Sequence, residues 1–241
     1  MRLAVPGWPP GWLAHKVPRD HLESDAAFRR RRRVVAGVSV AGAGLLGLSL
    51  STEPDSPEFY ALTLGVAGTW VAGGLASGPL HLGRMTSGGR PVVAPVAAGV
   101  AAFGAFYGAA LVARRIPVLD QALVSVLRYA KEGSGPLVAV TTLANGAAEE
   151  VFFRGALYAA AGTAHPVAAS TAVYMLATVP TRNPALVIAS GVMGSLFGLQ
   201  RRASGGIQAS TLTHLTWSAL MLRYLPPLFR EPVPPPGRQP R

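Results

Sequence analysis

The stretch PLVAVTTLANGAAEEVFFRGALYAAAG, residues 136–162, is apolar along most of its length but carries two adjacent glutamates and an arginine at its centre. A helix needs about 20 predominantly apolar residues to cross a membrane, and this stretch is long enough. On such a helix Glu150 and Arg154 lie four residues apart on one face, which favours an ion pair. Glu149 points about 100° away around the helix axis and needs another environment. A mid-membrane charge costs at least about 2.5 kcal/mol, so these residues indicate a polar cavity inside a helix bundle.

The rest of the chain has the composition of a helical membrane protein. Half of its 241 residues are hydrophobic, only 14% are charged, and the mean hydropathy is positive. Short breaks with Arg, Pro and Gly separate apolar segments at residues 34–50, 59–82, 92–113, 137–162, 166–179, 184–199 and 207–225. The sequence therefore predicts an all-α fold, a polytopic transmembrane helix bundle with about seven to eight spans.

This segmentation divides the chain into four predicted regions. Residues 1–33 form a basic cytoplasmic N-terminal tail, 34–133 the N-terminal membrane helices, 134–225 the core helices, and 226–241 a Pro-rich C-terminal tail. The arginine run at residues 29–33 favours a cytoplasmic N-terminus. No convincing cleavage pattern follows the first apolar segment, so we expect the N-terminal region to be retained.

Residues 116–133 leave two alternatives open. Their apolar positions recur at helical spacing, while Asp120, Gln121, Arg128 and Lys131 occupy the other faces. This pattern suits an interfacial helix lying on the membrane surface. It also suits a short span that restores the sidedness of the chain, because strict alternation places the two arginines at 114–115 outside.

The charge distribution indicates the partners of the chain. The formal net charge is +11, but the arginines lie in the N-terminal run, the short breaks and the tail rather than in a stripe with interleaved aromatic residues. This distribution argues against nucleic acid and favours contact with the headgroups of membrane lipids. The chain has no cysteine, which excludes disulfides, a thiol nucleophile and cysteine-based metal sites.

A second polar group lies in TLTHLTWSAL, residues 211–220. On a helix His214 and Ser218 share one face, with Thr211 one turn before them. An imidazole in a membrane cavity can donate a hydrogen bond to a developing oxyanion. The structural alternative is a hydrogen bond that joins two helices.

These residues resemble a known family. EEVFFRG is similar to the EExxxRG motif of the CPBP intramembrane proteases, which include the type II CAAX prenyl endopeptidases and the bacterial Abi, or bacteriocin-immunity, proteins. STAVYMLATVP follows where the family has FxxxH, and the stretch ending in HLTWS lies where it has HxxxN or HxxxD. The resemblance covers roughly residues 137–222 and places the motifs in the family order.

The resemblance implies a role for each matching residue. Glu149 would activate a water molecule, Glu150 and Arg154 would orient and shape the site, and His214 would help to stabilise the oxyanion.

Two positions depart from the family pattern. Thr178 stands where FxxxH ends in histidine, and Ser218 stands where HxxxN ends in asparagine. Both hydroxyls can donate hydrogen bonds, but their side chains are shorter and reach a different point of the cavity. Loss of one oxyanion donor typically lowers the rate by about 10² to 10³, so these replacements predict a slower or an inactive enzyme.

Metal ions and cofactors are not predicted. Members of the family are often labelled metalloproteases, and catalytic zinc normally has three protein ligands and an open position. Glu149, Glu150 and His214 are the only strong candidates, and Glu150 is expected to pair with Arg154. His165 is expected at a helix end, away from the site.

The sequence thus predicts an intramembrane endopeptidase that hydrolyses a peptide bond of a membrane-associated peptide or protein in the bacterial plasma membrane. The basic N-terminus and the high content of Ala, Gly, Pro and Arg are typical of bacteria, which generally do not prenylate proteins, so another membrane peptide is expected as substrate. One alternative is a catalytically inactive relative with a binding, immunity or accessory role. A third is a small proton-coupled carrier, since carriers also contain intramembrane carboxylates.

Overall fold

The computed structural model describes residues 24–85, 89–162 and 164–229, and in these ranges it is helical, without strands. The helices are α1 Asp25–Ser49, α2 Pro57–Ser77, α3 Val93–Ala113, α4 Pro117–Glu132, α5 Gly135–Glu149, α6 Pro166–Thr178, α7 Pro184–Ser204 and α8 Gln208–Tyr224. Helix α5 continues without a break as a π-helix, Glu150–Leu157, and a last α-helical turn, Tyr158–Ala161. Two short 3-10 helices, Val179–Thr181 and Pro226–Phe229, follow α6 and α8. The predicted all-α fold is confirmed.

The ends of several helices differ from the predicted segments, and two of them have a clear local cause. Helix α1 begins at Asp25 because the Ser24 side chain accepts a hydrogen bond from the Ala27 amide, so the arginine run at 29–33 lies within the helix. Helix α2 ends at Ser77 rather than near residue 82, since Gly78 has a φ of 146° and is followed by proline. Residues 1–23 and 230–241 of the predicted tails lie outside the described ranges.

Small residues allow α1, α2 and α5 to pack closely. A Cβ atom on Gly42 would overlap the indole of Trp70, and one on Gly73 would overlap Val38. The Trp70 side chain is fully buried and stacks on the Phe152 ring with a centroid distance of 4.7 Å. Close approach of helix backbones at small residues is typical of membrane bundles.

Helix α3 lies at the periphery of the bundle. Only Pro95, Gly99 and Ala110 are buried on this 21-residue helix. Its Gly99 packs against the backbone of Thr213 on α8, so one narrow stripe holds it to the bundle. Helices α2 and α3 are each long and apolar enough to cross a membrane.

Helix α4 lies across one end of the bundle, which we call the α4 end. Three hydrogen bonds tie it to the α1–α2 connection, the start of α7 and the C-terminal 3-10 helix: Tyr129 to the Thr52 carbonyl at 2.7 Å, Asn183 to the Ala122 carbonyl at 2.7 Å, and Lys131 to the Phe229 carbonyl at 2.6 Å. Helix α5 also starts here, because the Ser134 amide donates to Asp55 of the α1–α2 connection at 2.9 Å. Since both ends of α4 lie at the same end of the bundle, its position agrees with the interfacial alternative.

The opposite end, which we call the arginine end, carries residues 29–33. Here the α2–α3 connection lies against the α7–α8 connection: the Ile207 amide donates to the His81 carbonyl at 2.9 Å, and the Arg84 amide donates to the Ser204 carbonyl at 2.8 Å. In the described ranges seven helices run between the two ends, with α4 as the eighth.

Candidate active site

Glu150, Arg154 and His214 form a buried group that we call the charge cluster. Glu150 Oε1 accepts a hydrogen bond from Arg154 Nη1 at 3.2 Å and lies 3.0 Å from His214 Nδ1. Glu150 and Arg154 have no exposed surface, and His214 is 5% exposed. With Glu150 ionised, Nδ1 is the nitrogen that carries the hydrogen, which leaves Nε2 free to face a ligand. The predicted ion pair is therefore present, and it extends to His214.

The wide turn that α5 makes at this point was not predicted. The π-helical segment Glu150–Leu157 contains both Glu150 and Arg154. Single π-helical turns inside α-helices are rare and occur frequently at functional sites. Since the i→i+5 pattern has no simple residue signature, the sequence offered no signal for it.

Aromatic rings surround the Arg154 guanidinium. Its Cζ lies 4.6 Å from the centroid of the Tyr174 ring and 5.0 Å from that of Phe197. Phe197 in turn stacks on the His214 imidazole with a centroid distance of 4.7 Å. Cation–π contacts of this kind stabilise a desolvated cation by up to about 2 kcal/mol. The charge cluster is thus held by rings as well as by its ion pair.

Glu149 has a different environment from its neighbour. It is partly exposed, and its Oε2 accepts a hydrogen bond from the Tyr174 hydroxyl at 2.5 Å. It lines a cavity of about 370 Å³ that extends toward the α4 end. Glu149, for which the sequence predicted no partner, therefore faces the cavity. His214 lines the same cavity.

Thr178 and Ser218 also line this cavity, as the motif positions predicted. Each is about 6% exposed. The Thr178 hydroxyl, however, donates to the backbone carbonyl of Tyr174 at 2.8 Å, one turn earlier on α6. Its only hydrogen is used inside its own helix, so Thr178 is poorly suited to act as a donor to a substrate.

The cavity wall is otherwise mainly apolar. Its lining comes from every long helix and includes Phe59, Val66, Phe106, Leu123, Leu127, Met193, Trp217 and Met221. Apart from Glu149 and His214, the lining contains no ionisable side chain except the phenols of Tyr129 and Tyr174. A chain segment with apolar, uncharged side chains fits such a wall best.

Two polar residues of the site were missed in the sequence. Tyr174 stands at the first position of the stretch that aligns with FxxxH, and it was given no role, although a hydroxyl inside an apolar helix was a usable signal. Asn145 lies one turn before Glu149 on α5, and its amide donates to the backbone carbonyls of Thr63 and Thr141, each at 3.0 Å. It ties α5 to α2 beside the cavity. His165 is exposed just before α6, away from the site as predicted.

The donor set does not fit a metal ion. Glu150 Oε1 is engaged by Arg154 and His214, and the His214 Nδ1 hydrogen bond leaves that residue one free nitrogen. Among residues 24–85, 89–162 and 164–229 no group of three His, Cys, Asp or Glu side chains is arranged to hold a metal. A three-ligand zinc site of the usual kind cannot be assembled from Glu149 and His214 alone.

The fold and the site together define a class: a membrane-associated, all-helical protein with a glutamate, arginine and histidine centre beside an internal cavity. Residues 132–220 match the family model for the type II CAAX prenyl endopeptidase Rce1-like proteins. Over these residues the chain is similar to that family, whose members are membrane-embedded. No curated protein and no solved structure matches the chain. The matched residues include α5 to α8 up to Leu220, and hence the charge cluster, Glu149 and Tyr174.

Proposed function

We propose that the chain is an intramembrane endopeptidase that hydrolyses a peptide bond of a membrane-associated substrate, with Glu149 activating the water molecule. The observation that carries this proposal is the position of Glu149 in the cavity wall, with one carboxylate oxygen held by Tyr174. The second oxygen, Oε1, is left to bind water. The match of residues 132–220 to the Rce1-like family model supports hydrolysis as the reaction.

In the proposed reaction, Glu149 takes a proton from water while the water oxygen bonds to the carbonyl carbon. The carbonyl oxygen then carries the negative charge, and His214 Nε2 donates a hydrogen bond to it. When the C–N bond breaks, the departing amine takes the proton back from Glu149. An imidazole whose Nδ1–H points at Glu150 donates from Nε2 only as imidazolium.

The test is a cleavage assay on the purified, detergent-solubilised protein with a set of apolar, membrane-associated peptides. We expect Glu149→Gln to lower the rate by about 10² to 10⁴, the usual effect of losing a general base. Glu58→Gln is the matched control, because Glu58 is an exposed glutamate in the first turn of α2. Cleavage that survives Glu149→Gln at the wild-type rate would contradict the mechanism.

A second candidate function is that of a catalytically inactive binding or accessory protein. The hydrogen bond that retains the Thr178 hydroxyl inside α6 favours it, because this position then contributes no donor to the cavity. The Thr178→His, Ser218→Asn double variant separates the candidates. If the wild type does not cleave any peptide and the double variant does, the chain is the inactive binding or accessory protein.

We also propose that seven helices cross the bacterial plasma membrane and that the arginine end faces the cytoplasm. The arginine end bears the run at 29–33 with Arg84 and Arg90, whereas the Lys and Arg residues of the α4 end are fewer and are spread over several connections. This asymmetry follows the positive-inside rule. The arginines at 114–115 then lie at the α4 end, on the outer side, and are an exception to the rule whether or not α4 crosses.

The topology can be tested directly because the chain has no cysteine. Single Glu132→Cys and Arg32→Cys variants place one thiol on an exposed position at each end. In intact spheroplasts an impermeant maleimide should label the Glu132→Cys variant but not the Arg32→Cys variant. The Arg32→Cys variant should be labelled only after the membrane is permeabilised. Labelling in the reverse order would invert the proposed orientation.

A further inference from the structure

We infer that Tyr174 is a positioning residue for Glu149: its hydroxyl fixes the carboxylate so that Oε1 faces the cavity. This inference rests on the proposed function. The hydroxyl donates to Glu149 Oε2 at 2.5 Å, and a hydrogen bond from a phenol to a carboxylate is stronger than one between neutral groups. Neither the composition nor the motif positions assign this role.

Tyr174 is well placed to hold one orientation. Its ring lies over the Arg154 guanidinium at 4.6 Å and against the Phe153 ring at 4.6 Å. Its backbone carbonyl accepts the Thr178 hydroxyl at 2.8 Å. The phenol is therefore fixed by the charge cluster on one side and directs its hydroxyl to Glu149 on the other.

A glutamate side chain needs such a contact to act reproducibly. The terminal torsion of glutamate is broad and has two nearly equivalent orientations. One strong hydrogen bond to Oε2 selects between them and leaves Oε1 as the oxygen that meets water. Because Thr178 uses its own hydrogen inside α6, Tyr174 supplies the donor that this helix presents to the reacting carboxylate.

The test compares Tyr174→Phe with Tyr60→Phe. Tyr60 provides the matched pair, since its hydroxyl donates to the Asp55 carboxylate at 2.7 Å in the exposed α1–α2 connection. We expect Tyr174→Phe to lower kcat by about 10- to 100-fold, the effect of losing one hydrogen bond to a charged group. KM should change little, because the hydroxyl does not bind substrate. Tyr60→Phe should retain both constants.

A second readout needs no activity. The infrared band of the Glu149 carboxylate is the one that disappears in Glu149→Gln, and it should shift in Tyr174→Phe but not in Tyr60→Phe. If the band shifts in Tyr174→Phe but the wild type cleaves no peptide, the hydrogen bond is supported and the proposed function is rejected. An unshifted band, or a Tyr174→Phe variant that cleaves at the wild-type rate while Glu149→Gln is inactive, would overturn the role of Tyr174.

Discussion

The two glutamates of α5 are neighbours in the chain, yet they lie in two different regions of the molecule. Glu150 belongs to the charge cluster, where Arg154 and His214 surround it and no surface is exposed. Glu149 lies in the cavity wall, where Tyr174 holds one of its oxygens. The rotation of about 100° between successive residues separates them. The difference teaches that one carboxylate stabilises the bundle while the other is available for chemistry.

The largest expected effect comes from removing the cation of the charge cluster. Arg154→Met leaves Glu150 buried with its charge uncompensated, which should lower the free energy of unfolding by about 3–5 kcal/mol. Thermal unfolding in detergent measures the loss. Arg128→Met is the control, because Arg128 pairs with Glu132 at 3.1 Å on an exposed helix face and should cost about 0–1 kcal/mol. Equal losses in the two variants would remove the distinction between the regions.

A smaller effect is expected where α7 passes the boundary between the regions. A Cβ atom on Gly194 would lie 3.1 Å from Thr171 Cγ2, 3.3 Å from Tyr174 Cδ1 and 3.4 Å from Arg154 Nη2. Gly194→Ala should therefore cost about 1–3 kcal/mol through overpacking. It should also lower cleavage by displacing Tyr174.

Gly104→Ala is the control for this prediction, measured by the same unfolding and cleavage assays. A Cβ atom on Gly104 would meet nothing within 4 Å, so this variant should be neutral or more stable by roughly 0.5–1 kcal/mol. If Gly194→Ala matched it in both assays, the packing around Arg154 and Tyr174 would be looser than the distances indicate.

The smallest effect is expected at Thr178. Thr178→Val keeps the side-chain shape and removes a hydroxyl that bonds only within its helix, so it should cost about 1 kcal/mol or less and leave cleavage within about twofold. Thr69→Val removes the same kind of bond on α2, where Thr69 donates to the Gly65 carbonyl at 2.8 Å. A hundredfold loss of cleavage in Thr178→Val alone would show that Thr178 acts on the substrate after all.

Much of the fold was predictable because hydropathy and spacing are local properties. The apolar segments, the Glu150 and Arg154 pair four residues apart, and the order of the motifs are all visible in the chain. The start of α1 was also signalled, since Ser24 and Asp25 form a typical helix start, but the arginines that follow resemble a tail.

The remaining features depend on contacts between distant residues. The bond between Tyr174 and Glu149 joins two helices, and no residue spacing announces it. The helical period of α4 identifies its apolar face but not its position in the bundle. Hydrogen bonds of Tyr129, Asn183 and Lys131 hold α4 at one end of the bundle. The π-helical turn at Glu150 likewise has no signature in the residue spacing.

The most direct test measures stability and cleavage together for Glu149→Gln and Glu150→Gln. Glu149→Gln should lower cleavage by about 10² to 10⁴ and change the free energy of unfolding by no more than about 1 kcal/mol, because its hydrogen-bond partner is the neutral Tyr174 hydroxyl. Glu150→Gln should lower that free energy by about 3–5 kcal/mol, because Arg154 then lies buried without a counter-charge. If both variants lost stability equally, or if Glu150→Gln remained as stable as the wild type, the division between the two glutamates would be wrong.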